Sequence, residues 1–252
     1  MLKEILKHIT PFDFETLEVL ANLFSEEQMS KGKVFAKKGE YSKKMAFVKS
    51  GVLRAFYSNE KGEEYNKTFF TEKSFVGAYS SLVTGGKNLI NIDCLTNCNL
   101  LVAEYQKITA LFEQYPQVER LARIVAEQFF VSKEKREIEL VTLEAKDRYV
   151  IFQEEHPQLE QLIPQYHIAS YLGISPTQLS HIRGQKKKGQ VKKNDLSQMV
   201  PLTIPLSNSF YQNLVDIYGL KELLYNEGIA NKSGLPLIKL KSTINSILPN
   251  SY

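Results

Sequence analysis

The chain has 252 residues, of which 43% are hydrophobic and 24% charged, and a formal net charge of +4. This length suits two domains, and both fractions are ordinary for a globular protein. No long uncharged apolar run is present, which argues against a transmembrane span, and the first ten residues lack the apolar stretch of a secretory signal. We therefore expect a cytoplasmic protein.

The excess positive charge is concentrated in residues 161–194. This segment contains no Asp or Glu and carries a net charge of +6, so the rest of the chain carries 4 − 6 = −2. Such asymmetry favours a polyanionic partner, although a solvated lysine-rich loop is the alternative. The basic residues are Arg183, Lys186, Lys187, Lys188, Lys192 and Lys193.

The N-terminal part reads as a helix followed by a set of short strands. Residues 2–24 have a helical apolar pattern, in which Pro11 and Asp13 mark a start. From Lys33 to about Glu104, short β-type runs are separated by glycines and other turn residues, which predicts a small β-sandwich or β-roll. The runs are Val34–Ala36, Met45–Val48, Val52–Tyr57, Tyr65–Phe70, Leu89–Cys94 and Leu100–Val102.

The two cysteines, Cys94 and Cys98, lie in a segment that reads as one strand. On a straight strand they would share a face about 13 Å apart, which is too far for a disulfide. We expect both to be small core or half-buried residues.

A long helix is predicted from Pro116 to about Leu143. Its wide apolar face must pack on something, either the β-roll of the same chain or a second copy, and its length favours at least partial self-pairing. The candidate pairing residues are Val118, Leu121, Val125 and Phe129. A further helix is expected near 145–155, ended by His156 and Pro157.

The segment Pro164–Arg183 has the pattern of a helix-turn-helix. Ala169 is small where the second helix would cross the first, and Gly173 tolerates the positive φ of the turn. Ser175 suits the N-cap of the second helix and Pro176 its first position. An ordinary helical hairpin is the alternative. The shared apolar core would consist of Ile168, Leu172, Ile174, Leu179 and Ile182.

The second helix of such a motif enters the major groove of DNA with its N-terminal end. Thr177, Ser180 and His181 can hydrogen-bond base edges, although His181 could also be an ordinary surface residue. The other candidates are expected to contact DNA phosphates or to approach the DNA closely. The full set of candidate DNA-binding residues is Ser175, Pro176, Thr177, Gln178, Ser180, His181, Arg183 and Lys186.

Two parts of the chain resemble Crp–Fnr superfamily regulators. Thr142–Tyr149 and Ile163–Arg183 are similar to their DNA-binding domain, and most similar to short members common in the Bacteroidetes group. Phe47–Arg54 and Phe75–Ser81, with Gly39, resemble their cyclic-nucleotide-binding roll. The resemblance implies an α+β fold with an N-terminal double-stranded β-helix (a jelly-roll of cyclic-nucleotide-binding type), a long dimerisation helix and a winged-helix-type helix-turn-helix domain.

The resemblance also implies a domain order and a function. Residues 1–115 would be the sensor domain, 116–143 the dimerisation helix and 144–194 the DNA-binding domain, followed by a tail, 195–252, without a family counterpart. The protein would be a homodimeric transcription regulator without enzymatic activity or cofactor, binding a palindromic site on double-stranded DNA, with RNA polymerase as a further partner. The sequence leaves the effector, the operator and the sign of regulation open.

The effector pocket departs from the pattern that the resemblance leads us to expect. Family members that bind cyclic nucleotides carry a glutamate and, further on, an arginine, where this chain has Ala78 and Asn88. A buried cyclic phosphate needs a cation or a cluster of N–H donors, so we expect that cyclic AMP is not the effector, although Lys87 could serve. The candidate pocket residues are Val76, Gly77, Ala78, Tyr79, Ser80, Ser81, Lys87, Asn88 and Leu89.

Two rival readings belong to other classes of protein. A metal-dependent cupin enzyme needs histidines inside the roll, and none lies in residues 33–104; the two cysteines alone cannot hold an iron–sulfur cluster. No metal is therefore expected. A sensor or interaction module with a degenerate nucleotide-binding fold and no DNA binding is the second alternative, and the helix-turn-helix pattern argues against it.

Overall fold

The computed structural model describes residues 1–187, which combine helices with two β-sheets in an α+β fold, as predicted. The predicted tail, 195–252, and Lys188, Lys192 and Lys193 lie outside the described residues. The helices are α1 (Leu2–Ile9), α2 (Phe14–Asn22), α3 (Tyr79–Thr84), α4 (Tyr105–Thr109), α5 (Pro116–Thr142), α6 (Ala145–Glu155), α7 (Leu159–Leu162), α8 (Gln165–Leu172) and α9 (Pro176–Lys187). The strands are β1 (Ser25–Met29), β2 (Val34–Ala36), β3 (Lys44–Ser50), β4 (Leu53–Ser58), β5 (Glu64–Phe70), β6 (Phe75–Val76), β7 (Asn91–Cys94) and β8 (Cys98–Glu104).

The N-terminal region contains two helices within the predicted helical region 2–24, and the start marked by Pro11 and Asp13 is that of the second helix. The chain breaks at Thr10, whose backbone is extended, and restarts at Asp13. The Asp13 carboxylate caps α2 by accepting a hydrogen bond from the Thr16 N–H at 2.8 Å. Phe14, the first residue of α2, is 78% exposed.

The roll consists of two four-stranded sheets, with strand orders β1-β8-β3-β6 and β2-β7-β4-β5 and antiparallel pairing throughout. All six predicted runs lie in or overlap strands, whereas β1 and β6 were not predicted. β1 is rich in Ser, Glu and Gln and shows no apolar signal in the sequence. The sheets enclose a core in which Val48, Leu53, Ile92 and Leu100 have no exposed surface.

The cysteines do not lie on one straight strand, so the distance argument from the sequence was wrong. Cys94 ends β7 in one sheet and Cys98 begins β8 in the other. Both are buried free thiols in the same core. Interaction between the two thiols raises the pKa of Cys94 well above its usual range and lowers the pKa of Cys98 to about 7.

The long helix α5 packs against its own chain at both ends. At its start it contacts α1 and α2, and Gln117 accepts a hydrogen bond from the Asp13 N–H at 3.0 Å. Near its end, the Arg136 guanidinium donates to the Tyr171 carbonyl. From α6, Arg148 donates to the Leu172 carbonyl at 3.1 Å. The last carbonyl groups of α8 therefore face two cations, the charge that a helix C-terminus favours.

A second hydrophobic core joins the roll to helices α6–α9. From the roll, Val52, Phe69 and Leu95 pack into it. Their ring partners include Phe152 and Tyr171, with centroids 6.3 and 5.2 Å from that of Phe69. The roll and the helices after residue 144 are therefore held together by shared apolar burial. The remaining members of this core are Tyr149, Leu159, Ile163, Ile168, Ala169, Leu172 and Leu179.

The turn at Gly51 gives a test of the packing in the roll. Gly51 has φ +97°, and an added Cβ would lie 2.5 Å from the Asn97 carbonyl oxygen and 2.7 Å from Cys98 Sγ. We expect Gly51→Ala to lower the free energy of unfolding by about 3 kcal/mol, measured by urea titration, because strain and a backbone clash add.

Gly62→Ala is the matched control for this substitution. Gly62 also has a positive φ, +79°, but no atom lies within 4 Å of its added Cβ. It should cost only about 1 kcal/mol. Equal losses in the two variants would contradict the close approach of β8 to Gly51.

Candidate functional site

Helices α8 and α9 are joined by a tight turn. Gly173 ends α8 with φ 68°, in the left-handed region, and the Ile174 N–H donates to the Ala169 carbonyl at 3.0 Å. Ser175 then caps α9 reciprocally with Gln178. The Gln178 N–H donates to Ser175 Oγ at 3.2 Å, and the Ser175 N–H donates to Gln178 Oε1 at 3.0 Å.

The inner faces of α8 and α9 are fixed by apolar burial. Ile168, Ala169, Leu172 and Leu179 have no exposed surface, and Ile174 and Ile182 pack half-buried against them. All of these residues except the small Ala169 were predicted as the apolar core of the motif, and Ala169 was predicted as the crossing point. This packing determines which side of α9 faces outward.

The outer face of α9 carries most of the candidate DNA-binding side chains. Pro176, Thr177, Ser180 and His181 are exposed, and so are Ser175 and Gln178, which are bonded to each other. Arg183 is half-buried, and its Nε lies 3.6 Å from Glu160 Oε1. Its guanidinium therefore already has a carboxylate partner. Lys186 belongs to the last turn of α9, and its side chain lies outside the described part of the chain.

A buried arginine that the sequence did not single out lies where the roll meets α8. Arg54 in β4 has a 7% exposed side chain. Its Nε and Nη2 bind the two carboxylate oxygens of Asp93 in β7 at 2.9 and 3.1 Å, and its Nη1 lies 2.6 Å from Glu64 Oε2 in β5. Burial disfavours the charge, but the hydrogen bonds to Asp93 and Glu64 outweigh it and raise the pKa of Arg54.

The same guanidinium reaches α8. Its Nη1 donates to Nδ1 of His167 at 3.0 Å and to Oδ1 of Asn66 at 3.1 Å. Asn66 in turn donates through Nδ2 to the His167 carbonyl at 2.8 Å. We call Arg54, Glu64, Asn66, Asp93 and His167 the Arg54 cluster. An arginine has no acceptor, so Nδ1 of His167 must carry the lone pair and the imidazole must be neutral.

A serine on α8 extends this contact along the edge of the sheet. β5 is the last strand of its sheet, so part of its backbone has no strand partner. Ser170 Oγ accepts a hydrogen bond from the Asn66 N–H at 3.0 Å and donates to the Glu64 carbonyl at 2.8 Å. One hydroxyl thus pairs an N–H and a C=O of the edge strand.

The candidate effector residues divide into a buried and an exposed group. Val76 and Ala78 belong to the core of the roll, and Ser81 Oγ is buried between the Gly86 carbonyl and the Ser42 N–H. Asn88 is buried and donates to the Lys37 carbonyl at 3.0 Å. Gly77 is half-buried. The exposed members are Tyr79, Ser80, Lys87 and Leu89.

A cleft of about 360 Å³ lies beside Asn88. Its other walls come from β2, from the following loop with Tyr41 and Lys43, and from Lys44 at the start of β3. Within the described residues, Oδ1 of Asn88 is buried without a hydrogen-bond partner. Of the candidate effector residues, Asn88 is the one that lines this cleft.

The candidate pairing residues of α5 lie in two environments. Val118 and Leu121 are buried within the chain itself, at 0% and 7% exposure, so they do not face a second copy. Val125 is half-buried and Phe129 is 42% exposed. Further along α5, Phe130 and Val141 are 62% and 86% exposed. In the sequence both residues widen the apolar stripe of this helix, although they are not among the four candidate pairing residues.

The roll matches a known domain family. Residues 26–115 match the family model described as "Cyclic nucleotide-binding domain". The roll has the fold of a cyclic nucleotide-binding domain. No curated protein sequence matches the chain.

Solved structures extend this likeness beyond the nucleotide-binding roll. The c-di-GMP-responsive global regulator CLP of Xanthomonas campestris aligns with 72% of this chain and 96% of its own, with TM-score 0.57 and 15% identity. FixK2 of Bradyrhizobium japonicum aligns with 68% and 88%, at TM-score 0.60 and 15% identity. A Eubacterium rectale protein assigned to the Crp/Fnr family aligns with 73% and 88%, at TM-score 0.57 and 15% identity. At such identities the likeness is one of fold.

None of the helices in residues 1–187 combines the length and the apolar character needed to cross a membrane. These residues also contain no group of three His, Cys, Asp or Glu side chains that could hold a metal ion.

The neutral His167 should make stability depend on pH. Burial, and then the charge of Arg54, lower its pKa from 6.5 to about 4. The unfolded chain therefore binds the proton first, and stability present above pH 6.5 is lost as the pH falls towards 4. Between about pH 7 and 5 this loss is about 2 kcal/mol.

His167→Asn separates this effect from other titrations, because asparagine keeps an acceptor but does not titrate. The free energy of unfolding, measured by urea titration at about pH 7 and about pH 5, should fall between these values by about 2 kcal/mol less in the variant than in the wild type. An equal loss in variant and wild type would contradict a buried neutral imidazole.

Proposed function

We propose that the protein is a DNA-binding transcription regulator of the Crp–Fnr type that acts as a homodimer. The observation that carries the proposal is the α8–turn–α9 unit, whose inner face is buried while a polar face is exposed at the start of α9. We read this unit as a helix-turn-helix. The fold of the roll and the likeness to Crp/Fnr structures support the same reading.

In this proposal α9 is the recognition helix and enters the major groove with its N-terminal end. Thr177, Ser180 and His181 read base edges, and Pro176 approaches the DNA closely. Ser175 and Gln178 fix the start of the helix by capping it and lie near the phosphates. Arg183 and Lys186 add positive charge on the same segment, which carries no Asp or Glu between residues 161 and 194.

We further propose that the chain is divided functionally into sensor (1–115), dimerisation helix (116–143), DNA-binding domain (144–194) and tail (195–252). Two copies pair through the exposed part of α5, and two-fold symmetry places the recognition helices about 34 Å apart on a palindromic site. The protein belongs in this view to the Bacteroidetes-type members, works in the cytoplasm without catalysis, and can also contact RNA polymerase.

In this proposal cyclic AMP is not an effector, and the pocket holds either another ligand or none. Ala78 is a buried core residue without a charge, and Asn88 offers a neutral amide where a cyclic phosphate needs a cation. Lys87 is exposed. A ligand in this part of the roll must therefore be recognised mainly by hydrogen bonds and apolar contact.

DNA binding can be tested by fluorescence anisotropy on a duplex that the protein itself enriches from a random pool. We expect His181→Ala to weaken binding about tenfold, because a base-edge contact is lost. Phosphate contacts should make wild-type affinity fall roughly 10³-fold or more between about 50 and 200 mM salt.

His8→Ala is the matched control, since His8 is an exposed histidine of α1. It should bind like the wild type. If His181→Ala also binds like the wild type, His181 does not read a base edge; if no duplex is enriched, the interaction-module alternative is favoured.

Self-association can be tested by sedimentation velocity. We expect the wild type to sediment with twice the chain mass. Val141→Asp should shift it to the monomer, because a charge would be buried in the helix pair. Phe14→Asp, at an exposed position of α2, is the control and should leave the dimer intact. A monomeric wild type would contradict pairing through α5.

A further inference from the structure

We propose that Arg54 of the roll is a positioning residue for DNA binding, acting through His167 to set where α8 and therefore α9 stand. This inference rests on the proposed function. In this inference, a polar contact between the roll and α8 of the same chain controls the position of the recognition helix.

Arg54 is held rigidly by the roll. Asp93 binds it through two nitrogens, and Glu64 binds Nη1 at 2.6 Å. Its guanidinium also stacks over the Phe56 ring, 3.8 Å from the centroid. A planar fork bound on several sides holds its N–H groups in one orientation. Nη1 carries two hydrogens, and besides Glu64 it lies 3.1 Å from Asn66 Oδ1 in β5 and 3.0 Å from His167 Nδ1 in α8.

Helix α8 is hydrogen-bonded to the roll at two successive positions of one face. His167 accepts from Arg54 and, through its carbonyl, from Asn66. Ser170, three residues later on the same side of the helix, bonds the edge of β5. These contacts fix both the rotation and the height of α8 on the sheet.

Arg54, Asn66 and His167 are too deeply buried to contact DNA directly. Arg54, Asn66 and His167 are 6%, 6% and 5% exposed. Their influence on a DNA complex must therefore pass through α8, which shares its buried core with Leu179 of α9. A buried cation without one of its partners is unfavourable. Placements of α8 that take His167 away from Arg54 are therefore disfavoured, and the contact selects one placement of α8.

The Arg54 cluster is close in the chain to the candidate effector residues. Asp93 lies in β7, which directly follows the candidate effector residues Lys87, Asn88 and Leu89. A ligand that shifts this segment also shifts Asp93, and with it Arg54 and His167. The roll can thus move the recognition helix without using α5.

The test compares two substitutions of His167 on the enriched duplex. His167→Leu keeps bulk but removes the acceptor, and we expect its affinity to fall about tenfold or more. His167→Asn places an acceptor near the position of Nδ1 and should stay within about threefold of the wild type. Lys49→Ala, which breaks the exposed 2.7 Å ion pair with Glu26 elsewhere on the roll, is the control and should not change affinity.

Stoichiometric titration gives the active fraction of each protein, so that partial unfolding is separated from weaker binding. A purely structural role would lower the active fraction and leave the dissociation constant of the folded protein unchanged. Folded His167→Leu that binds like the wild type overturns the proposal, as does His167→Asn that binds as weakly as His167→Leu.

Arg54→Lys provides the second test if His167→Leu does not fold. Lysine keeps the charge but cannot bind Asp93, Glu64 and His167 together, so we expect a similar loss of affinity. Wild-type affinity in this variant overturns the proposal. A wild type that enriches no duplex overturns the proposed function itself, which distinguishes the two failures.

Discussion

A buried guanidinium needs a full set of acceptors, and the way Arg54 meets this need organises the centre of the molecule. Three strands of one sheet contribute to it, β4 with Arg54 itself, β5 with Glu64 and Asn66, and β7 with Asp93. The last acceptor comes from α8 through His167. Because an unpaired buried charge is so unfavourable, this arrangement ties the strand order of the sheet to the position of a helix far along the chain.

The apolar core around Phe69 and Tyr171 lies beside this polar contact and has the opposite character. Apolar burial holds the roll and helices α6–α9 together but accepts small shifts, whereas the hydrogen bonds of Arg54 demand one geometry. The combination suits a regulator whose recognition helix must stand in a defined place and yet respond to a change in the roll. Exposure of the outer face of α9 follows from the same packing.

Features that depend on neighbouring residues were predictable from the sequence. The turn at Gly173, the cap at Ser175 and the apolar positions of α8 and α9 all follow from local spacing. The six strand runs were also found, because alternating apolar residues and glycines mark them locally. The start of α2 was marked in the sequence by Pro11 and Asp13, whereas the end of α1 was not identified, since the apolar pattern continues across the break.

Features that depend on distant pairs were not predictable. Arg54 and His167 are 113 positions apart, and Arg54 and Asp93 are 39 apart, so no local pattern brings them together. The apposition of Cys94 and Cys98 was misjudged because it needs a turn and a change of sheet. β1 was missed since its sequence is polar and its pairing with β8 makes it a strand. The helical pattern of α5 alone left open whether its apolar face packs within the chain or on a second copy, and Val118 and Leu121 are buried within the chain.

The central claim is sequence-specific DNA binding by a two-fold symmetric protein. The most direct measurement is repeated selection of duplexes from a random pool by the full chain, followed by sequencing. The account predicts enrichment of an inverted repeat whose half-sites lie about one helical turn apart. A pool that stays random through successive rounds, at low as well as moderate salt, would contradict it.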